Sequence, residues 1–275
     1  MKEDSSLISG EKFSALLIET RNLYSDFLER EVIVDVYLPA IAFKKRKMPL
    51  LLINDGQDLR RMDFKSIIEN LLIADKIIPP VCVGIHCGAD RMNEYGTICS
   101  ADYLGRGAKA GLYNKFILDE LLPFLLEEFK ITFTEKSFAG FSLGGLSALD
   151  IVWNRPLEFT HVGVFSGSLW WRRHGYDDIG YNSDTDRLMH LQVQKGKHLP
   201  WLKLFFECGQ LDEAADRNNN GIIDSIEDTR DIIKNFKEIG FKNYQIKYLE
   251  LEDGRHDVET WANAFPAFLT WAWGK

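Results

Sequence analysis

The segment Gly140-Phe141-Ser142-Leu143-Gly144 has the spacing G-x-S-x-G. A serine held between two glycines is a candidate nucleophile for acyl transfer. The bare pattern is weak, because this glycine and serine content would produce it by chance in about one such chain in twelve. Its flanks carry more weight. An apolar segment precedes it, and a helix-like stretch with the small residues Gly145, Ser147 and Ala148 follows. Strand, sharp turn and helix together present a serine hydroxyl in a strained turn. At Gly140 or Gly144 a side chain would collide with neighbouring chain there. The helix start adds amides and a positive dipole beside the serine. The competing reading is a glycine-rich helix start capped by a serine.

A serine hydroxyl needs a base. The chain has six histidines: His86, His161, His174, His190, His198 and His256. In the chain order serine, acid, histidine, only the last three can serve. His256 lies in ELEDGRHDVETW, past the last strand pattern and before the last helix pattern. A loop there can reach back over a sheet to Ser142. His190 and His198 lie in a long loop before the penultimate strand. The acid is expected after that strand, where LFFECGQLDE supplies Asp212 with Glu213 beside it. An acid at that place orients the imidazole and stabilises its charged form. Asp253 and Asp257 are too near His256 in sequence for an easy side-on approach. The developing oxyanion needs two backbone donors. The amide of Leu143 is one, and the amide of Gln57 in INDGQDL is the other, with Gly56 allowing a tight turn. Asp55-Gly56 would equally suit an ordinary turn.

A second constellation spans residues 216–227, DRNNNGIIDSIE, which matches D-x-[DN]-x-[DN]-G-x5-E at every specified position. Calcium needs six to eight oxygens, and this spacing wraps alternate side chains around one centre. Asp216, Asn218 and Asn220 would ligate through side chains and Ile222 through its carbonyl. Asp224 would act directly or through water, and Glu227 through both oxygens. Gly221 allows the turn and Ile223 points inward. A strand replaces the usual entering helix, so the expectation is a lone structural calcium loop. An Asn-rich surface turn is the bland alternative.

The elements that must position these groups follow from periodicity. Residues 12–19 and 31–38 read as strands without a helix between them, which suggests an antiparallel edge. The KKRK run from Lys44 to Lys47 reads as a solvated turn. Residues 49–54 and 79–86 are short apolar runs, as in strands buried on two faces. Helical spacing occupies 63–75, and 111–128 is amphipathic with Pro123 at an expected kink. Then come a strand at 136–140, a helix at 143–153, and strands at 161–166 and 202–208. A helix at 225–239, a strand at 243–251 and a helix at 258–272 complete the chain. This alternation predicts one α/β domain over residues 1–275: a mostly parallel sheet with helices on both faces. The long loops at about 87–110 and 167–200 follow strands and are candidate pocket walls.

Composition narrows the partners. The 275 residues hold 33 Lys+Arg against 41 Asp+Glu, a net charge of −8. That balance argues against nucleic acid, whose binding depends on neutralising phosphates. Residues 212–231 hold seven acids against two bases, so most of the excess charge sits in this one segment. No apolar run is long enough to span a membrane. The first residues lack a secretory core, so the chain as written reads as cytoplasmic, although a secreted chain trimmed of its leader would read the same. Cys82, Cys87, Cys99 and Cys208 form no C-x-x-C pair and read as reduced, mostly buried thiols.

Across EREVIVDVYLPA, LLINDGQDL, ADYLGRGAKAGLYNKFILDELLPFL, SFAGFSLGGLSAL, FSGSLWW, FECGQLDE and GRHDVETWANAFPAFLTW, the chain resembles the putative esterase family of α/β-hydrolases. That family includes enterochelin esterase-like enzymes, feruloyl and acetyl xylan esterases, S-formylglutathione hydrolase and mycolyltransferases. The resemblance covers nearly the whole chain. It implies Ser142, Asp212 and His256 as the triad, Gln57 and Leu143 as amide donors, and ester hydrolysis with no organic cofactor. It leaves the acyl group and the alcohol open. Enterochelin esterases carry an extra N-terminal domain that this chain is too short to hold. Trp170 and Trp171 could stack on a sugar or aromatic group, or pack into their loop. Tyr103 and Arg106 are further candidates for the pocket. An acyltransferase or a small-thioester hydrolase would use the same residues, and a silent calcium-binding module would use only the loop.

Overall fold

The structure is a computed structural model, and it describes residues 16–43 and 46–275. Residues 12–15 of the first expected strand, and Lys44 and Lys45 of the basic run, lie outside the described residues. In chain order the elements are β1 (Leu16–Ser25), β2 (Arg30–Pro39), β3 (Lys47–Asn54), α1 (Phe64–Ile73), β4 (Val81–Ile85), α2 (Arg91–Glu94) and α3 (Ala110–Lys115). They continue with α4 (Leu122–Phe129), β5 (Thr132–Phe141), α5 (Leu143–Asn154), β6 (His161–Phe165), α6 (Ser183–Asp186) and α7 (Leu188–Gln194). The last are β7 (Lys203–Leu211), α8 (Asp224–Glu238), β8 (Ile246–Arg255) and α9 (Val258–Trp273).

The eight strands form one sheet in the order β1-β2-β4-β3-β5-β6-β7-β8. β1 and β2 pair antiparallel, as do β2 and β4, and every later pair is parallel. The expected antiparallel edge and parallel centre are both present. β1 runs to Ser25, because all ten of its residues find partners on β2. β5 starts at Thr132, four residues earlier than its apolar core suggests, because Lys47 and Met48 of β3 pair with Thr132 and Phe133.

The pleat divides the core in two. Leu50 and Leu52 face a cluster with Leu146, Leu149, Val152 and Phe236, under α5 and α8. Leu51 and Ile53 face the opposite cluster with Phe64, Ile68, Phe265 and Leu269, under α1 and α9. Burial on both faces explains why the central strands read as unbroken apolar runs.

The expected kink at Pro123 is a change of helix type. A π-helical segment, Phe116–Leu121, joins α3 to α4, and Pro123 falls at the start of α4. Proline has no amide hydrogen and its ring crowds the carbonyl four residues back. A wider turn before it accommodates both effects. The loop over 167–200 also holds structure. Its helix α7 buries Leu188, Met189 and Val193 in the first cluster.

Because β3, β5, β6, β7 and β8 are parallel, their carboxyl ends share one edge of the sheet. Asp55, Ser142, Ser166, Asp212 and His256 all follow those ends.

Candidate active site

Ser142 bridges β5 and α5 with φ 54° and ψ −123°, a backbone conformation unfavourable for any residue with a side chain. Its amide donates to the Phe165 carbonyl at 2.9 Å, and its carbonyl accepts from the amides of Gly145 and Ser168 at 3.0 Å each. A side-chain carbon on Gly140 would sit 2.3 Å from the Gly144 carbonyl oxygen, and one on Gly144 would sit 2.6 Å from Asp55 Oδ2. Both glycines are therefore required by contact, as expected. Ser142 Oγ lies 3.4 Å from Ser168 Oγ.

The neighbouring turn after β3 is tied to this elbow. Asn54 Nδ2 donates to the Gly144 carbonyl at 2.8 Å, and the Tyr113 hydroxyl donates to Asn54 Oδ1 at 2.6 Å. Arg91 grips both Asp55 oxygens at 2.7 Å. The Asp55 amide donates to the Tyr95 hydroxyl at 3.3 Å. The left-handed residue here is Asp55, with φ 59°, and not Gly56. Gly56 is needed for a different reason: a side-chain carbon there would lie 2.3 Å from the Gly84 carbonyl carbon of β4. Gln57 follows, and its side chain closes onto Cys87 through a 3.1 Å bond from the Cys87 amide to Oε1. Sequence reasoning missed Asn54, Arg91, Tyr95 and Tyr113. Asn54 left a signal, as the polar end of the apolar run PLLLIN.

Asp212 and His256 come together from the loops after β7 and β8. The Asp212 side chain is 1% exposed, and its Oδ2 lies 3.9 Å from His256 Nδ1. That is ion-pair range and not a hydrogen bond. Asp212 Oδ2 accepts from the Cys208 thiol at 3.4 Å, while Oδ1 is buried without a partner. The two loops approach because Gly209 and Gly254 touch: a side-chain carbon on Gly209 would lie 2.3 Å from the Gly254 carbonyl carbon. The His256 ring stands edge-on to Trp261 at 5.4 Å and is 41% exposed. No hydrogen bond joins His256 to Ser142 among the described residues. Ligand-free sites often hold such contacts long, and they tighten with substrate.

The other histidines are occupied. His190 is buried, bonded to the Asp228 carbonyl at 2.9 Å, and burial pushes its pKa down to about 3. His198 bonds Gln245 Oε1 at 2.8 Å. Asp257 caps α9 by accepting from the Thr260 amide at 2.8 Å. Beneath the loops, Glu207 of β7 is 1% exposed with neither carboxylate oxygen bonded. Burial, and then the charge of Asp212, push its pKa up to about 8. An acid inside the apolar run LFFEC was the overlooked signal for it.

Of the pocket candidates, Tyr103, Arg106 and Trp170 line one cavity of ≈240 Å³ with Arg172, Tyr176 and Glu213. The Arg106 guanidinium lies over the Trp170 ring at 4.9 Å and pairs with Asp102. Trp171 does not join them. It is fully buried, against Gly96 and Gly107, because the loop folds it beneath Trp170. A larger groove of ≈670 Å³ is lined by Thr132 and Lys136, at the amino end of β5, away from Ser142. Cys82 and Cys208 are buried thiols, Cys87 is half-buried and Cys99 is exposed; all four are free.

In the 216–227 loop, Asn218 and Asn220 both donate to Glu227 Oε1 at 2.8 Å. Asp216 accepts from the amides of Asn220 and Gly221 at 3.1 and 2.8 Å. Gly221 takes φ 84°, as the turn requires, and the Ile222 amide donates to Asn220 Oδ1 at 2.8 Å. Asp216, Asn218, Asn220 and Glu227 thus converge. Asp224 is engaged elsewhere, with Oδ1 accepting from the Arg217 amide at 2.8 Å. The Arg217 side chain turns in as well, 3.0 Å from Glu227 and 2.6 Å from Asp228. Among the described residues no group of three or more His, Cys, Asp or Glu is placed to hold a metal. Any ion here would rely on asparagine and backbone carbonyls beside the carboxylates.

The fold as a whole matches those of known proteins. A ferulic acid esterase superposes with a TM-score of 0.70 at 17% identity, covering 93% of this chain and 97% of that one. An IroE-like serine hydrolase from Shewanella oneidensis gives 0.70 at 18% identity, covering 93% and 79%. The enterobactin esterase of Shigella flexneri, in the presence of enterobactin, gives 0.71 at 19% identity, with 92% of this chain but only 58% of that one covered. These likenesses show the α/β-hydrolase fold. Residues 25–272 match the Esterase family, described as putative esterase. The chain belongs to that family and is an esterase-type hydrolase.

Proposed function

We propose that the chain is a serine carboxylesterase working through an acyl-enzyme. Ser142 attacks the ester carbonyl, and His256 takes its proton and returns it to the leaving alcohol. Asp212 orients His256, and the amides of Gln57 and Leu143 hold the oxyanion. Water then repeats the sequence on the acyl-enzyme. The observation that carries this reading is the strained Ser142 elbow on the same sheet edge as the Asp212–His256 approach. On binding substrate, His256 has to close on both Asp212 and Ser142. Its exposed ring leaves it free to do so. A fluorophosphonate should label the protein at Ser142 and leave S142A unlabelled. A wild-type protein that takes up no label would sink the enzyme reading.

The substrate is a small ester or an ester on a carbohydrate. The neighbouring folds include enzymes named for ferulic acid and enterobactin, and a screen of acetyl, butyryl and feruloyl esters on simple alcohols and sugars would narrow it.

We further propose that the 216–227 loop binds a structural calcium ion that fixes the loop bearing Asp212. The convergence of Asp216, Asn218, Asn220 and Glu227 supports it. Asp224, whose Oδ1 accepts from the Arg217 backbone amide, and the Ile222 carbonyl would have to turn in to complete the ligand set. Adding calcium to chelator-treated protein should raise Tm by roughly 4 °C or more, about 1–2 kcal/mol at a domain of this size. Unchanged Tm and activity after chelation would remove the proposal.

A further inference from the structure

Buried arginines need counter-charge, because a guanidinium taken out of water is costly unless paired. Arg187 meets that need through Asp228 and Asp231, and Arg217 through Asp224, Glu227 and Asp228. Arg172 does not. It is 7% exposed and forms no ion pair among the described residues. Its one guanidinium hydrogen bond runs from Nη1 to the Trp170 carbonyl at 3.3 Å, and Nε is buried without a partner. Rings surround it instead: Tyr176 at 3.5 Å, Tyr103 at 4.9 Å and Trp170 at 5.6 Å. Contact with ring faces offsets part of the lost hydration but leaves the charge unmatched.

Arg172 lines the ≈240 Å³ cavity described above. Two of the three other charged groups there have ion-pair partners. Arg106 is held by Asp102, and Asp224 by Arg217. Glu213 sits at the exposed rim with Oε1 accepting from the Ser225 amide at 2.6 Å. The cavity lies beside the loop after β4 that carries Tyr103 and Arg106, and between two further loops at the same end of the sheet. One follows β6 and touches Ser142 through Ser168. The other follows β7 and carries Asp212.

We propose that this cavity is an anion subsite of the ester-binding site. Arg172 takes a carboxylate on the substrate, and the Trp170 and Tyr103 rings flank the rest of that group. The planar fork of a guanidinium suits a carboxylate, and a half-closed aromatic setting strengthens the pair by excluding water. This inference rests on the esterase reading, and it narrows the substrate class to esters bearing a carboxylate on the acyl or alcohol part.

Two matched ester pairs test it. 4-Acetoxybenzoate against phenyl acetate places the carboxylate on the alcohol, and monomethyl terephthalate against methyl benzoate places it on the acyl group. The wild-type enzyme should favour the anionic member of one pair by roughly tenfold or more in kcat/KM, expressed mainly in KM. The preference should shrink with added salt. R172Q should abolish the preference and R172K should keep part of it. No preference in either pair, or equal losses for both members in R172Q and R172K, would make Arg172 a packing residue and overturn the proposal. A binding arm separates this from the esterase reading. Calorimetric titration of S142A with terephthalate and 4-hydroxybenzoate should show binding that R172Q, added to S142A, removes. Such binding upholds the subsite even if every ester resists hydrolysis. Ester turnover with no such binding upholds the esterase and rejects the subsite.

Discussion

Ser142 sits in a frame of backbone atoms. Gly140 touches Gly144, Asn54 bonds the Gly144 carbonyl, and Gly56 touches Gly84, all within the sheet and its first turns. Asp212 and His256 directly follow β7 and β8, 3.9 Å apart, one with a buried side chain and one 41% exposed. The half that holds Ser142, the proposed nucleophile, is fixed by sterics. The proposed acid–base half is held by a thiol contact and a glycine contact, and its imidazole is exposed. Preorganisation is thus unevenly distributed. In the proposed mechanism the rigid part would bear the developing charge, and the exposed imidazole would shuttle the proton.

The largest expected effect tests the proposed acid–base half. D212N should lower kcat by about 10³- to 10⁴-fold, because the imidazole loses its orienting charge. It should leave Tm within a few degrees of wild type, since Asp212 Oδ1 has no partner to lose. A loss below tenfold in steady-state assays would mean that Asp212 does not orient His256, and the comparison would break there. The rigid half should respond differently. N54A strands the Gly144 carbonyl and the Tyr113 hydroxyl, at about 2–3 kcal/mol of stability. It should also cut kcat by roughly 10- to 100-fold by loosening the turn that carries Gln57. Denaturant melts and kinetics on the same variant check both; a stability loss with unchanged kcat would unlink the turn from catalysis.

The smallest effect concerns the ground between the halves. Glu207 has its pKa raised to about 8 from 4.5, so the folded protein holds a proton that the unfolded chain releases. Its contribution is therefore fully present below about pH 4.5 and is lost as pH rises toward 8. E207Q should match wild type in Tm near pH 4.5 and exceed it by about 5 °C at pH 9. Parallel Tm curves from pH 4.5 to 9 would show that Glu207 is not protonated in the fold.

The same division governs what the sequence discloses. Gly140, Ser142 and Gly144 are legible because backbone collisions allow few alternatives at each position. The central strands are legible because burial on both faces leaves apolar runs such as PLLLIN. Asn54 and Glu207 escaped notice because a polar residue inside a strand shows its role only when its cross-strand neighbours are known. Trp170 and Trp171 are identical in type and adjacent in sequence, yet one lines the cavity and the other is core. Only the path of their loop decides that. Residues 212–231 look like a concentration of unbalanced acid in sequence. In the fold Arg187, from outside the segment, pairs with Asp228 and Asp231 and absorbs part of it.

The backbone angles of Ser142 have a consequence for how this chain can change over time. At φ 54° and ψ −123°, glycine is the residue that the local chain would accept most readily. A single replacement by glycine would abolish the hydroxyl and relax the turn together. Mutational drift toward a sturdier fold therefore runs directly through loss of the proposed nucleophile. In the proposed mechanism the hydroxyl is what would keep a serine in this position against the preference of its own backbone.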